Sequence, residues 1–315
     1  MSMIKAATKL LAGVTACSLV LIGAMGSVLA ADPKIRIAFP SGMNGQITVA
    51  MDKAKIAAKH GLDAEFVPFQ YGPPMMEALA SGSVDAVVTS LMPVTSFSSK
   101  LPGSAKIVAA LGNSTHSLMV GKGSPIAKAD ELKGKKLGVS FGSDSHLDTL
   151  IWIEAQGIKD DVSLVNIPPA ELATALGNGS VDAIVIRQPQ VLRLKETSGA
   201  KVLHTWPFRF FSIMRSKFIE ENPSVIEKYV AALQEAMFYV AENKEQASIW
   251  FGEHLRMDPK IIRAVSEDDP NYNVTALNDI DVAVGDKSKT LLLKWFDDAL
   301  KYGMIKKPVD PKLVF

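Results

Sequence analysis

Ser143-Asp144-Ser145-His146 packs the side-chain types of a hydrolase into four residues: a hydroxyl, a carboxylate and an imidazole. The spacing argues against that use. Neighbours within one helical turn point in different directions and cannot line up as nucleophile, base and orienting acid. Asp85 and Asp182 raise a second possibility, a carboxylate pair for acid–base work. They sit at the same place in two near-copies of one heptapeptide, Gly-Ser-Val-Asp-Ala-Val-Val at 82–88 and Gly-Ser-Val-Asp-Ala-Ile-Val at 179–185. Each precedes an apolar strand, where a short acid satisfies turn amides, so both are read as architectural. His60, His116, His146, His204 and His254 are scattered, with no pair at ligand spacing, which excludes a metal site. Nucleophile-elbow, zinc-protease, phosphate-loop and dinucleotide motifs are all missing. The residues point to binding without turnover and without a cofactor.

Recognition chemistry is better represented. In a parallel sheet a ligand sits beyond the carboxyl ends of the strands. The segments after the two heptapeptides, Thr89-Ser90-Leu91-Met92-Pro93 and Arg187-Gln188-Pro189-Gln190, therefore carry the functional weight. Thr89, Ser90 and Gln188 offer neutral polar groups. Arg187 is a permanent charge whose fork suits carboxylate, sulfonate or phosphate. Phe141-Gly142-Ser143 leads from a strand into a helix. Gly142 lets backbone approach a ligand, and free N–H groups at such an end make an anion site. Ser143 or Asp144 caps that helix, and Ser143 and Ser145 have capping alone as their competing role. Asp144 works against an anion, because its carboxylate competes for the same N–H groups. Trp206 and Phe208 are placed to stack on a flat ligand, and Arg209 to add positive charge, although such aromatics also serve as hinge and core packing. Tyr71 has the same two readings. Ser41, Gln46, Asn113 and Ser114 follow strands and are neutral hydrogen-bonding candidates.

These residues need a scaffold. Residues 34–39 alternate and are β-branched, predicting a first strand; 43–60 read as a helix stopped at Gly61; 63–69 read as a second strand. Pro73-Pro74 opens a short helix, and 84–88 is a buried strand. Residues 105–111 and 117–120 read as two further strands. The pattern then restarts: a strand near 137–140, a helix over 145–156, a strand over 162–167, a helix opened by Pro168-Pro169, and a strand over 181–186. Two α/β lobes of similar design, each with a parallel sheet, explain the repeat. The last third is helical, with apolar residues at helical spacing from Val225 to Val240, and is expected to pack on the first lobe.

The N-terminus reads as an export signal: Lys5 and Lys9, an uncharged apolar run from Leu10 to Met25, and Val28-Leu29-Ala30 as the cleavage site. The run is short for a membrane span. Val14-Thr15-Ala16-Cys17 has lipobox character, but cleavage there would leave Leu19-Val20-Leu21-Ile22 where a polar tether belongs. Cleavage after Ala30 removes the only cysteine, so the mature chain relies on its core and not on disulfides. It also removes two lysines and no acid, taking the formal charge from +1 to −1. That balance excludes nucleic acid and a membrane surface as partners.

Several segments together carry a resemblance: Gly72-Pro-Pro-Met-Met-Glu-Ala-Leu-Ala-Ser-Gly82, Asp130-Glu-Leu-Lys-Gly-Lys-Lys136, Gly142-Ser-Asp-Ser-His146, Pro168-Pro169 and Gly303-Met-Ile-Lys-Lys-Pro308. In this order and spacing the chain resembles a periplasmic solute-binding protein of an ABC importer, in the group handling aliphatic sulfonates, taurine, nitrate and thiamine precursors. The resemblance implies an α/β fold of type II: residues 31–118 and 210–315 forming one lobe, 119–209 the other, and two hinge crossovers. A ligand would bind in the cleft, with its anionic group near Ser143 to His146. The closed protein, a monomer in the periplasm, would then meet a membrane permease and an ATPase. Relatives often carry Gly-Asp after the first buried strand and Trp followed by an acid after the second. Here Ser90-Leu91 and Arg187-Gln188 stand there, so Arg187 is expected to grip a small organic anion, sulfonate or sulfonate-like, aliphatic or aromatic, in place of taurine itself. Alternatives are a binder of nitrate or a pyrimidine-type vitamin precursor, and a biosynthetic enzyme on the same fold.

Overall fold

Residues 34–315 are described by the structure, a computed structural model. The export signal, its cleavage after Ala30 and Cys17 lie outside the described residues. Eight strands form one sheet: β1 (Ile35–Pro40), β2 (Ala64–Phe69), β3 (Ala86–Ser90), β4 (Ala105–Val120), β5 (Lys136–Val139), β6 (Ser163–Asn166), β7 (Ala183–Arg187) and β8 (Lys201–Arg215). Their order is β2-β1-β3-β8-β4-β7-β5-β6. β1 pairs in parallel with β2 and β3, and β5 with β6 and β7. Between these two sets, β4 and β8 run antiparallel to each other and to their outer neighbours. The expected α/β architecture of mainly parallel sheets holds at each end, and the long antiparallel pair joins the two halves.

The helices are α1 (Asn44–Lys53), α2 (Ile56–Lys59), α3 (Gly72–Ser81), α4 (Leu91–Lys100), α5 (Asp144–Ala155), α6 (Leu172–Gly177), α7 (Gln190–Ser198), α8 (Ser216–Glu221), α9 (Pro223–Glu242), α10 (Lys244–Leu255), α11 (Pro259–Glu267) and α12 (Asp286–Lys301). Among the described residues, no helix is long and apolar enough to cross a membrane. One core joins β1, β3 and the start of β4 to α9, α10 and α12, with Tyr229 and Phe251 wholly buried. Two smaller apolar clusters lie in the half built on β5 and β7; Leu118, Leu137 and Val139 belong to one, Met119, Leu172 and Ile184 to the other.

Several local expectations need correction. The strands expected at 105–111 and 117–120 are one strand of 16 residues. Gly112-Asn113-Ser114 suggested a break, yet β8 stays paired through it, with register shifts at 107/109, 110/113 and 118/119. The single helix expected over 43–60 is divided, because Lys55 takes a left-handed φ of 58°. Pro168-Pro169 does not open a helix directly; a turn from Pro168 O to Glu171 N comes first, and α6 begins at Leu172. α4 was missed, although Pro93 is compatible with a first helical turn.

The repeated aspartates are structural. Asp85 N donates to Arg36 O at 2.8 Å, and Arg36 N donates to Asp85 Oδ2 at 3.0 Å. Asp182 N donates to Lys136 O at 2.9 Å, and Lys136 N to Asp182 Oδ2 at 2.8 Å. Each copy thus clips the start of one buried strand to the start of its parallel neighbour. Asp85 alone is also buried and gripped by two guanidinium groups, from Arg36 and Arg215.

Candidate functional site

Parallel strands place the loops at their carboxyl ends together. Here the loops after β1, β2, β5, β6 and β7 meet the start of α4 and the end of α10 around a cavity of about 300 Å³. Six candidates from the sequence line it: Ser41, Tyr71, Ser143, Ser145, Arg187 and Gln188. Ser41 Oγ donates to Phe69 O at 3.3 Å. Ser143 Oγ donates to Ser140 O at 2.6 Å and accepts weakly from His146 N at 3.4 Å, so Ser143 is the cap of α5. A second cavity, of about 370 Å³, takes Asn113 and Ser114 of β4, with Asp269 and Tyr272 from the C-terminal segment. Gln188 borders both cavities.

The remaining candidates do other things. Gln46 is buried, and its Oε1 accepts from Ser266 Oγ at 2.9 Å. Thr89 is buried in β3. Gly142 has a φ of +77°, and a Cβ added there would lie 4.0 Å from Pro73. The His146 ring stacks on Phe141 at 4.2 Å, and its Nδ1 accepts from Gly142 N at 3.4 Å. Burial lowers His146 to about 4, so it brings no positive charge at neutral pH. Trp206 packs against His116, Trp152 and His204, and borders neither cavity. Arg209 borders neither cavity and lies electrostatically close to Asp269. Trp206 and Phe208 thus take the packing role.

Sequence reasoning missed His254, Leu255 and Arg256, which bring the end of α10 to the first cavity. Nothing local announces this; long-range packing of α10 on α1 does it. It also missed where Asp144 points. Asp144 is wholly buried. Its Oδ1 accepts from Met92 N at 2.7 Å, and its Oδ2 accepts from Ser90 Oγ and Arg187 Nη2. The Arg187 side chain is 27 % exposed, and its guanidinium lies 4.5 Å above the Phe208 ring.

Behind Arg187 lies a second buried pair. His116, opposite Arg187 in the β4–β7 register, has Nε2 3.0 Å from Asp148 Oδ2, at an angle that misses hydrogen-bond geometry. Burial, then the Arg187 charge, lowers His116 from 6.5 to about 3. Burial, then the Asp144 charge, pushes Asp148 from 3.8 up to about 8. From about pH 4 to 6.5 this pair holds one proton whether the chain is folded or not. Above 6.5 the unfolded histidine gives up its proton, while folded Asp148 keeps one until about 8. Stability is therefore expected to fall as pH rises from 6.5 to 8, with a limiting slope of about 1.4 kcal/mol per pH unit. Urea unfolding of Asp148→Asn should show no such fall. An equal loss in both proteins would rule the pair out as its source.

Among the described residues no cluster of His, Cys, Asp and Glu fits a metal ion. The geometry suits enclosure of a small solute by polar side chains and two arginines, Arg187 and Arg256.

The NMT1-like family model matches residues 30–250. A Bacillus subtilis (strain 168) protein provisionally named as an aliphatic sulfonates-binding protein is 27% identical over 229 residues, 70% of this chain and 69% of that one. The taurine-binding periplasmic protein of Escherichia coli (strain K12) is 28% identical over 209 residues, 61% of this chain and 62% of that one. Among solved structures, the alkanesulfonate-binding protein SsuA from Xanthomonas axonopodis pv. citri, bound to MOPS, matches with a TM-score of 0.76 at 16% identity, covering 91% of this chain and 99% of that one. That likeness is one of fold.

Proposed function

This chain belongs to the NMT1-like family, and from that premise we propose that it is the periplasmic solute-binding component of an ABC importer. It takes a small organic anion, sulfonate or sulfonate-like, between its halves and delivers it to a membrane permease with its ATPase. Residues 31–118 with 210–315 act as one lobe and 119–209 as the other, closing about β4 and β8. The observation that carries this reading is the cavity itself. It gathers Ser41 and Tyr71 from one half, and Ser143, Ser145 and Arg187 from the other, at the capped start of α5. The sulfonate- and taurine-binding names of its relatives support the ligand class.

A second reading has its own observation. Asp144 compensates Arg187, so the pair adds no net charge, and Tyr71, Pro73 and Pro189 supply flat walls. A pyrimidine-type heterocycle fits that description. A thermal-shift screen of the mature protein separates the two. The panel holds alkanesulfonates, taurine, MOPS, aromatic sulfonates, aromatic carboxylates, nitrate and pyrimidines. A ligand at 100 times its Kd adds about 2.7 kcal/mol, which raises the Tm by several degrees in a chain of this size. A shift with one sulfonate class is the expected result. A shift confined to neutral heterocycles would overturn the anion reading and leave solute binding standing.

A further inference from the structure

Asp144 occupies an unusual place for an acid that opens a helix. Its own helix end is capped by Ser143. The Asp144 carboxylate turns instead to the opposite half, where Met92 N belongs to the first turn of α4, a helix of 10 residues. A carboxylate there faces the positive end of the α4 dipole. Together with the Ser90 hydroxyl and the Arg187 guanidinium, this amide makes a donor set fit for an anionic oxygen group. A side chain of the protein already fills it. Ser90 and Met92 lie in the half of β1–β3, whereas Asp144 and Arg187 lie in the half of β5–β7, so the bonds span the cleft.

We infer that Asp144 is an internal anion that ties the two halves together and sets the charge of the solute. This rests on the anion-binding reading above. The cradle at the start of α4 is satisfied by the chain itself. The solute meets Arg187 from its exposed side, where the ion pair is electrically balanced, and otherwise meets Arg256 and neutral donors such as Ser41 and Gln188. Arg256, the other permanent charge on the lining, has no acid beside it there among the described residues and leaves the cavity with one uncompensated positive charge. Asp148 and His116 lie behind the pair, with Lys294 and Asp298 of α12 near Asp148, and Arg256 is exposed at the rim. A solute with one negative charge, or a zwitterion, is accepted, its charge answered by Arg256. A second negative charge would be desolvated without a counter-charge, and a dianion is rejected.

The test uses the mature protein, Asp144→Asn, and the double variant Asp144→Asn with Arg187→Met. The double variant replaces the pair by neutral groups of similar size, and carries the scattering comparison if Asp144→Asn alone does not fold. Calorimetric titration with ethanesulfonate, taurine and ethanedisulfonate reads the charge preference. Small-angle scattering without solute reads the bridge. The native protein is expected to prefer the first two probes over the disulfonate by at least tenfold. Asp144→Asn should shift that ratio by tenfold or more toward the disulfonate, and both variants should have a larger radius of gyration. An unchanged ratio in a folded Asp144→Asn, or unchanged dimensions in both variants, overturns the inference. If the native protein binds none of the probes, the anion reading fails, and scattering still decides whether Asp144 holds the halves together.

Discussion

Asp85→Ala is expected to remove about 3–5 kcal/mol of folding stability, while Asp182→Ala, in the same heptapeptide, removes less than about 1 kcal/mol. Both aspartates make the same two backbone bonds to a neighbouring strand. The difference lies in what surrounds them. Asp85 is buried and accepts from Arg36 Nε at 2.9 Å and Arg215 Nη2 at 2.6 Å, tying β1, β3 and β8 into one knot. Removing the carboxylate leaves two partly buried guanidinium groups without their partner. Asp182 is exposed and has no such partners among the described residues. Burial by itself would raise the Asp85 carboxyl, but the bonds from Arg36 and Arg215 outweigh it and hold the group below 3.8. The stability it adds is therefore complete above that value and is lost as pH falls through the lower folded value. Urea unfolding of both variants at neutral pH checks the contrast. Equal losses would mean that the arginines add nothing to the clip.

Arg187→Ala is expected to have two large effects that can be separated. Asp144 is wholly buried and would lose its counter-ion, which costs about 3–5 kcal/mol of stability. The cavity would also lose one of its two guanidinium groups, and affinity for the solute found in the thermal-shift screen should drop at least tenfold. The double variant Arg187→Ala with Asp144→Asn should recover most of the stability, because the stranded charge is gone. It should not recover affinity. Denaturant midpoints and calorimetric titration read the two effects independently. Unchanged affinity in Arg187→Ala would remove Arg187 from the solute contacts. Unchanged stability would mean that the ion pair contributes no net energy.

The α/β class and the paired design of the halves were legible because they are written in local pattern: β-branched alternation, glycine stops and one heptapeptide used twice. Asp85 and Asp182 are legible as architectural because short acids sit at the starts of buried strands, and their backbone bonds to the neighbouring strands bear this out. The line of the cavity along the carboxyl ends of the strands was legible for the same reason, which is why Ser41, Tyr71, Ser143, Ser145, Arg187 and Gln188 fall in it together.

Local pattern misled where a distant partner overrides it. Gly112-Asn113-Ser114 has the composition of a break, but pairing with β8 carries the strand through. Trp206 looked available for stacking until His116, Trp152 and His204 closed around it. Arg256 gave no sign at all, since only the packing of α10 on the first half brings it to the rim. The sequence by itself therefore determined most of the elements, their alternation and the edge of the sheet at which the cavity lies. Periodicity and turn chemistry act over a few residues. Only the tertiary structure decided the charge of the site. Whether Arg187 faces a solute alone or with a counter-ion depends on where Asp144 points, and that is settled by Ser90 and Met92, more than fifty positions away in the chain.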